Sequence, residues 1–135
     1  MALFSWDNRL KTNIEICDEQ HQKLISIINE LHDAMILRKD KGLIGKTIDE
    51  LVVYSLYHFK TEENLLEEHG FPHLNSHRVE HLQWTKEVNS LKERYDRGEE
   101  IRSVEIMSFL KDWVYDHILV SDKKYSLFLR NKGVL

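Results

Sequence analysis

The chain has few of the residues that interrupt helices, and almost no cysteine. Its 135 residues include 5 glycines, 1 proline and 1 cysteine. Scarce glycine and proline favour long helices with short connections, because these two residues end or break helices. A single cysteine cannot form an internal disulfide, so nothing in the sequence requires an oxidising compartment.

Long apolar runs and a basic surface are also lacking. No apolar segment approaches the roughly 18 to 20 residues of a membrane-spanning helix. The segment from Met1 to Asp7 does not have the basic and then apolar order of an export signal. These absences predict a cytoplasmic protein without membrane association. The net charge of −4 argues against a nucleic-acid partner, which would usually need a basic face.

The length and composition predict one domain over residues 1–135. The hydrophobic fraction of 41% and the charged fraction of 31% are ordinary for a globular protein. A chain of this length can bury a core without disulfides. Residues 1–17 are predicted to form an extended arm anchored by Trp6, and residues 18–130 the helical part.

Apolar residues recur with the 3.6-residue period of an amphipathic helix in four segments. The predicted helices run from about Asp18, as N-cap, to Leu37, from Leu43 to His69, from Leu74 to Arg97, and from Ser103 to about residue 130. Gly70 and Gly98 suit the ends of the second and third. The pattern predicts an all-α, antiparallel up-down-up-down four-helix bundle.

Seven ionisable side chains occupy positions that should face the bundle interior. His58 and Glu62 lie four residues apart, as do His77 and His81, so each pair projects from one helix face. Counted from predicted turns near Asp40 and Glu100, most lie at similar heights at about 1.5 Å per residue. One buried histidine alone is more often structural, but burying all seven unpaired would be costly. The set therefore predicts a metal site; its members are His21, His58, Glu62, His77, His81, His117 and Asp122.

These residues and their surroundings resemble the hemerythrin family, in particular its bacterial single-domain members. The similar segments are 16–21, 58–63 and 113–118, and the resemblance covers essentially the whole chain. It implies a cofactor of two iron ions with a bridging oxo or hydroxo group. By the same resemblance, one iron is bound by His77, His81 and His117, the other by His21 and His58, and both are bridged by Glu62 and Asp122.

The implied ligand set leaves one coordination position open. Five histidines, two bridging carboxylates and one bridging oxygen fill all but one of the twelve positions of two octahedral irons. The vacancy falls on the two-histidine iron, where O₂, NO, peroxide or an azide-like anion would bind. An apolar pocket would slow autoxidation, and the residues that resemble the family's pocket are Leu24, Phe59, Trp113 and Ile118.

Reversible O₂ binding for storage, delivery or scavenging is the leading hypothesis, and a non-enzyme is expected. A di-iron peroxidase, oxidase or NO reductase is the first alternative. An O₂ or iron sensor acting through a separate, unknown partner is the second. Zinc also suits histidine and carboxylate ligands, but seven ligands with two bridges favour a binuclear redox pair.

Several further residues carry narrower predictions. Asp122 follows His117 by five residues, a step that turns about 140° past a full turn in an α-helix, so a π-type widening or a break is expected between them. Cys17 replaces the family's usual apolar residue and is interpreted as a small buried hydrophobe, although a thiolate ligand is conceivable. His32, His69 and His73 are expected at the surface, at helix ends or in a loop.

Overall fold

A computed structural model describes residues 5–37 and 41–134 of the chain. A 3₁₀ turn at Asn8–Leu10 precedes α1 (Glu15–Ile36), α2 (Lys41–Glu68) and α3 (Leu74–Asp96). The fourth helix consists of α4 (Ser103–Asp116), a π-helical segment (His117–Asp122) and α5 (Lys123–Asn131). Helix α2 packs against both α1 and α3, and α1 also packs against α4. With no strand in these described ranges, the all-α four-helix bundle is confirmed.

The ends of α2 and α3 follow the predicted glycine signals. Gly70 and Gly98 have φ angles of +71° and +79°, which a residue without Cβ adopts readily. After Gly70 the chain turns back, and the Phe71 N–H donates to the Leu66 carbonyl at 2.9 Å. This bond satisfies a carbonyl in the last turn of α2, which is the usual role of such a glycine.

The predicted start of α1 at Asp18 is wrong. The helix begins at Glu15, and Asp18 lies inside its first turn. The Asp18 carboxylate instead accepts the backbone N–H groups of Thr12 at 2.7 Å and Asn13 at 3.1 Å. A positive φ of 64° at Asn13 turns the chain before the helix. Asp18 therefore fastens the preceding segment to α1 rather than capping the helix.

The segment before α1 is more ordered than the extended arm that the sequence predicts. It contains the 3₁₀ turn, and Leu10, Thr12 and Ile14 are fully buried. Trp6, the predicted anchor, packs partly buried against the core. Residues 1–4 of the predicted arm, and the predicted turn near Asp40, lie outside the described residues.

The bundle interior consists of two apolar clusters with a polar layer between them. On α1, Cys17 belongs to one cluster and Leu24 to the other, and His21 lies between them. The same order occurs on α2, where Glu62 lies between Phe59 and Leu66. Each of these two helices thus carries its polar residue at one level of an otherwise apolar core. No helix in the described part of the chain is long and apolar enough to cross a membrane.

Candidate metal centre

The structure brings all seven predicted site residues into the polar layer. Every one is buried, and none has more than 3% of its surface exposed. His21 comes from α1, His58 and Glu62 from α2, and His77 and His81 from α3. His117 and Asp122 come from the π-helical segment of the fourth helix.

The two oxygens of Glu62 face different groups of histidines. Oε2 lies 2.9 Å from Nε2 of His21 and 2.8 Å from Nε2 of His58. Oε1 lies 3.2 Å from Nε2 of both His77 and His81. One carboxylate therefore separates a two-histidine side from a three-histidine side.

The two oxygens of Asp122 also face different groups of histidines. Its Oδ2 lies 3.0 Å from Nε2 of His21, on the two-histidine side. Its Oδ1 lies 3.2 Å from Nε2 of His77 and 3.1 Å from Nε2 of His117. The Nε2 atoms of His81 and His117 approach each other to 3.1 Å, which completes the three-histidine side.

The π-helical segment makes this placement of Asp122 possible. It runs from His117 to Asp122, the interval for which the sequence predicts a widening. A π turn holds more residues than an α turn, so side chains five apart can point the same way. The predicted departure from α-helical geometry is confirmed.

On the three-histidine side, carboxylates lie behind two of the imidazoles. His81 Nδ1 lies 2.8 Å from Glu63 Oε2, and Glu63 Oε1 accepts from the Arg78 guanidinium at 3.1 Å. His117 Nδ1 lies 3.4 Å from Glu80 Oε1, and Glu80 also accepts from the Ser121 hydroxyl at 2.7 Å. Such partners fix the ring orientation and increase the basicity of the opposite nitrogen.

On the two-histidine side, the partners are neutral. His58 Nδ1 donates to the amide oxygen of Gln20 at 2.7 Å. His21 Nδ1 is buried and has no hydrogen-bond partner among the described residues. The Tyr125 hydroxyl donates to Glu62 Oε2 at 2.9 Å. Gln20, Glu63, Glu80 and Tyr125 were not predicted as site residues, although each lies within three residues of one in the sequence.

Both central carboxylates are ionised. Burial would raise the pKa of Glu62, but the imidazoles of His58, His21 and His77 hold it well below its usual range. Burial and Glu62 would likewise raise the pKa of Asp122, yet contacts with His117 and His21 keep it well below its usual value. Two buried anions at one level call for nearby positive charge.

In the metal-free protein, protonated imidazoles provide that charge. Burial lowers the pKa of His21 and His77, but contacts with Asp122 and Glu62 outweigh it and raise both values to about 10. The same competition raises the pKa of His117 to about 9, whereas burial lowers that of His58. Cations that replaced these protons would balance the same two carboxylates.

The arrangement fits a metal centre better than a hydrogen-bonded cluster. Both Asp122 oxygens are buried and make no hydrogen bond within the described part of the chain, although imidazole nitrogens lie within 3.2 Å of them. Buried oxygens that lie close to imidazole nitrogens without hydrogen-bond geometry are expected where both face a metal ion. Two groups could each hold an ion: one of Glu62, His77, His81 and His117, the other of His21, His58 and Glu62.

The four residues predicted to line a pocket all belong to the larger core cluster or pack against it, and two of them contact site histidines. Leu24, Phe59 and Ile118 are buried in the larger core cluster, and Trp113 packs partly buried against it. Phe59 stacks on His81 with ring centroids 3.9 Å apart, and Trp113 stacks on His117 at 4.4 Å. The two aromatic rings thus cover imidazoles of the three-histidine side.

The remaining histidines lie outside the centre, and the cysteine is buried beside it. His73 is exposed just before α3, and His32 and His69 are partly buried.

Cys17 is fully buried in the smaller cluster, as expected of a small hydrophobe, and burial strongly raises the pKa of its thiol. Neither of the two groups that could hold an ion includes Cys17, which argues against the thiolate-ligand alternative.

Comparison with known proteins finds relatives along nearly the whole chain. Residues 12–127 match the Hemerythrin HHE cation binding domain. A bacteriohemerythrin of Stenotrophomonas maltophilia is 36% identical over 126 residues, which cover 93% of this chain and 81% of that protein. One of Methylococcus capsulatus is 31% identical over 126 residues, 93% and 95% of the two chains.

Solved structures agree in fold. The crystal structure of a wild-type hemerythrin is 30% identical in sequence and superposes with a TM-score of 0.86. The superposition covers 93% of this chain and 96% of that one. The crystal structure of a hemerythrin point mutant gives a TM-score of 0.87 at 31% identity, with the same coverage of the two chains.

Proposed function

Because the chain belongs to the hemerythrin family, we propose that it binds O₂ reversibly at a non-haem di-iron centre. One observation carries the proposal: two buried carboxylates each face two unequal groups of histidines, three on one side and two on the other. Glu62 and Asp122 would hold two irons between them together with a solvent-derived oxygen. The coordination position left for O₂ would lie on the two-histidine side.

Each iron would be held by histidines from different helices. His77, His81 and His117 would hold one, and His21 and His58 the other. When bound, two ferrous ions supply the two electrons that reversible O₂ binding requires. All these imidazoles reach the centre through Nε2, while the other ring nitrogens of His58, His81 and His117 are held from behind.

The ligand set favours a carrier over an oxidase. Carboxylate-rich di-iron sites in helical bundles use four glutamates and two histidines. Here five imidazoles accompany only two carboxylates, so less negative charge is available to stabilise highly oxidised iron. Leu24 and Ile118 are almost completely buried and would keep water from the bound gas. We therefore propose storage, delivery or scavenging of O₂ rather than turnover of a substrate.

The test is an anaerobic reduction of the iron-loaded protein followed by titration with O₂. We expect an optical charge-transfer band that forms with O₂ and disappears when O₂ is removed. His58→Ala, which alters the two-histidine side, should abolish the band. His73→Ala, at an exposed histidine outside the centre, is the matched control and should retain it. Rapid, irreversible oxidation of the iron with consumption of a reducing substrate would instead support a di-iron enzyme.

A further inference from the structure

Tyr125 is a buried polar residue that contacts the centre and has no role in the proposed ligand set. It lies on α5, three residues after Asp122, and none of its surface is exposed. Its hydroxyl donates a hydrogen bond to Glu62 Oε2 at 2.9 Å. This hydrogen bond therefore affects both the orientation of the Glu62 carboxylate and the electron density on its Oε2 atom.

The hydrogen bond is made to one oxygen of Glu62 only, although the Tyr125 ring also lies 5.4 Å from the His77 ring. The accepting oxygen, Oε2, is the one that faces His21 and His58. The other oxygen, Oε1, faces His77 and His81, away from the one that Tyr125 contacts. A hydrogen bond to a carboxylate oxygen withdraws electron density from that oxygen. A metal on the two-histidine side would therefore receive less electron density from Glu62 than a metal on the three-histidine side.

We propose that Tyr125 is a positioning residue, which orients Glu62 and weakens its bond to the metal on the two-histidine side. This inference rests on the di-iron centre of the proposed function. A weaker carboxylate donor disfavours ferric iron relative to ferrous iron. Tyr125 therefore raises the reduction potential on the side where O₂ would bind, which disfavours permanent oxidation.

The test measures reduction potentials of the iron-loaded protein by anaerobic spectroelectrochemistry. Tyr125→Phe removes only the hydroxyl. We expect it to keep its iron and to shift the midpoint for one iron downward by about 60 mV, a tenfold change for a one-electron couple. The matched control, Tyr57→Phe, removes a hydroxyl from an exposed tyrosine and should leave the midpoint unchanged. An iron-loaded Tyr125→Phe protein with the wild-type midpoint would overturn the proposal.

A second change at the same position tests the point if Tyr125→Phe does not hold iron. Replacing Tyr125 by 3-fluorotyrosine keeps the ring and the hydroxyl but makes the phenol a stronger donor to Glu62 Oε2. The midpoint should then shift upward, opposite to the shift expected for Tyr125→Phe. An iron-loaded fluorinated protein with the wild-type midpoint would contradict the proposal.

The measurement of the reduction potential does not depend on O₂ binding. Midpoints are measured without O₂, so the expected shift can be observed even if the wild-type protein shows no reversible band with O₂. That outcome would reject the carrier function and leave the role of Tyr125 intact. A metal analysis that finds other than two irons per chain would reject the di-iron assignment itself.

Discussion

The three-histidine side and the two-histidine side both consist of imidazoles that face Glu62 and Asp122, but the outer nitrogens of these imidazoles have different partners. Glu63 and Glu80, both anionic and partly exposed, lie behind His81 and His117. The neutral, buried amide of Gln20 lies behind His58, and His21 Nδ1 has no partner among the described residues. Because anionic partners make an imidazole a stronger ligand, the three-histidine side should bind a metal more tightly. Neutral support and the Tyr125 hydrogen bond should leave the other side weaker and more reactive.

The largest effect is expected from Glu62→Ala, because Glu62 is common to both potential metal-binding groups. Removing Glu62 should prevent metal binding on both sides of the centre. Breaking a buried ion pair also destabilises a protein, by roughly 3–5 kcal/mol. Metal analysis and thermal unfolding would measure the two effects.

A nearby exposed glutamate provides the control for that experiment. Glu67 lies further along α2 and pairs with Arg78 at the surface at 3.2 Å. Glu67→Ala should change stability by less than about 1 kcal/mol, as is usual for exposed pairs, and should retain both metals. Full metal content in Glu62→Ala would show that the carboxylate does not bridge.

A second experiment removes one histidine from each side. His58→Ala leaves only one histidine on the weaker side, so we expect about one metal per chain. His81→Ala leaves two histidines and both carboxylates on the stronger side, so a second metal should still bind, with an affinity lowered by at least about tenfold, the lower end of the effect of losing even a supporting partner. Competition with a chelator would measure these affinities. Equal losses of metal affinity in His58→Ala and His81→Ala would contradict the proposed difference in metal affinity between the two sides.

The smallest effect is expected from Glu63→Gln, which replaces the anion behind His81 by a neutral amide. Supporting partners of this kind typically contribute roughly 10- to 100-fold to metal affinity, and we expect a value near the lower limit because Glu63 is partly exposed. Glu67→Gln is the matched control, since both glutamates bind Arg78. If the control weakened metal binding equally, the effect would come from Arg78 and not from His81.

Much of the fold and the set of seven residues could be predicted because periodicity reports which side of a helix faces the core. His58, Glu62, His77 and His81 follow that period, so their common layer could be inferred by counting residues. The start of α1 could not be located in this way. Asp18 is a favourable N-cap by residue type, but its carboxylate binds the backbone of Thr12 and Asn13, a contact that depends on a turn outside the helix.

The supporting residues are harder to predict for a different reason. Glu63 and Glu80 are adjacent in sequence to Glu62 and His81, and on a helical wheel they look like ordinary charged surface residues. Their contacts reach across to a neighbouring helix: Glu63 on α2 meets His81 on α3, and Glu80 on α3 meets His117. Periodicity within one helix carries no information about which residue on another helix is opposite. Tyr125 falls within an apolar stripe, where tyrosine suits a core as well as a hydrogen bond.

The π-helical segment also sets the phase of everything that follows it in the fourth helix. In an uninterrupted α-helix, the residue four after His117 would face inward, and that residue is Ser121; here Ser121 binds Glu80 at the periphery, and Asp122 takes the inward position. Each residue of an α-helix turns the chain by about 100°. If the segment closed to α-helical geometry with its length unchanged, Asp122, Tyr125 and Leu129 would therefore rotate away from the interior together. The inward carboxylate of Asp122, the Tyr125 hydroxyl that donates to Glu62 and the buried side chain of Leu129 therefore all depend on one extra residue in the fourth helix.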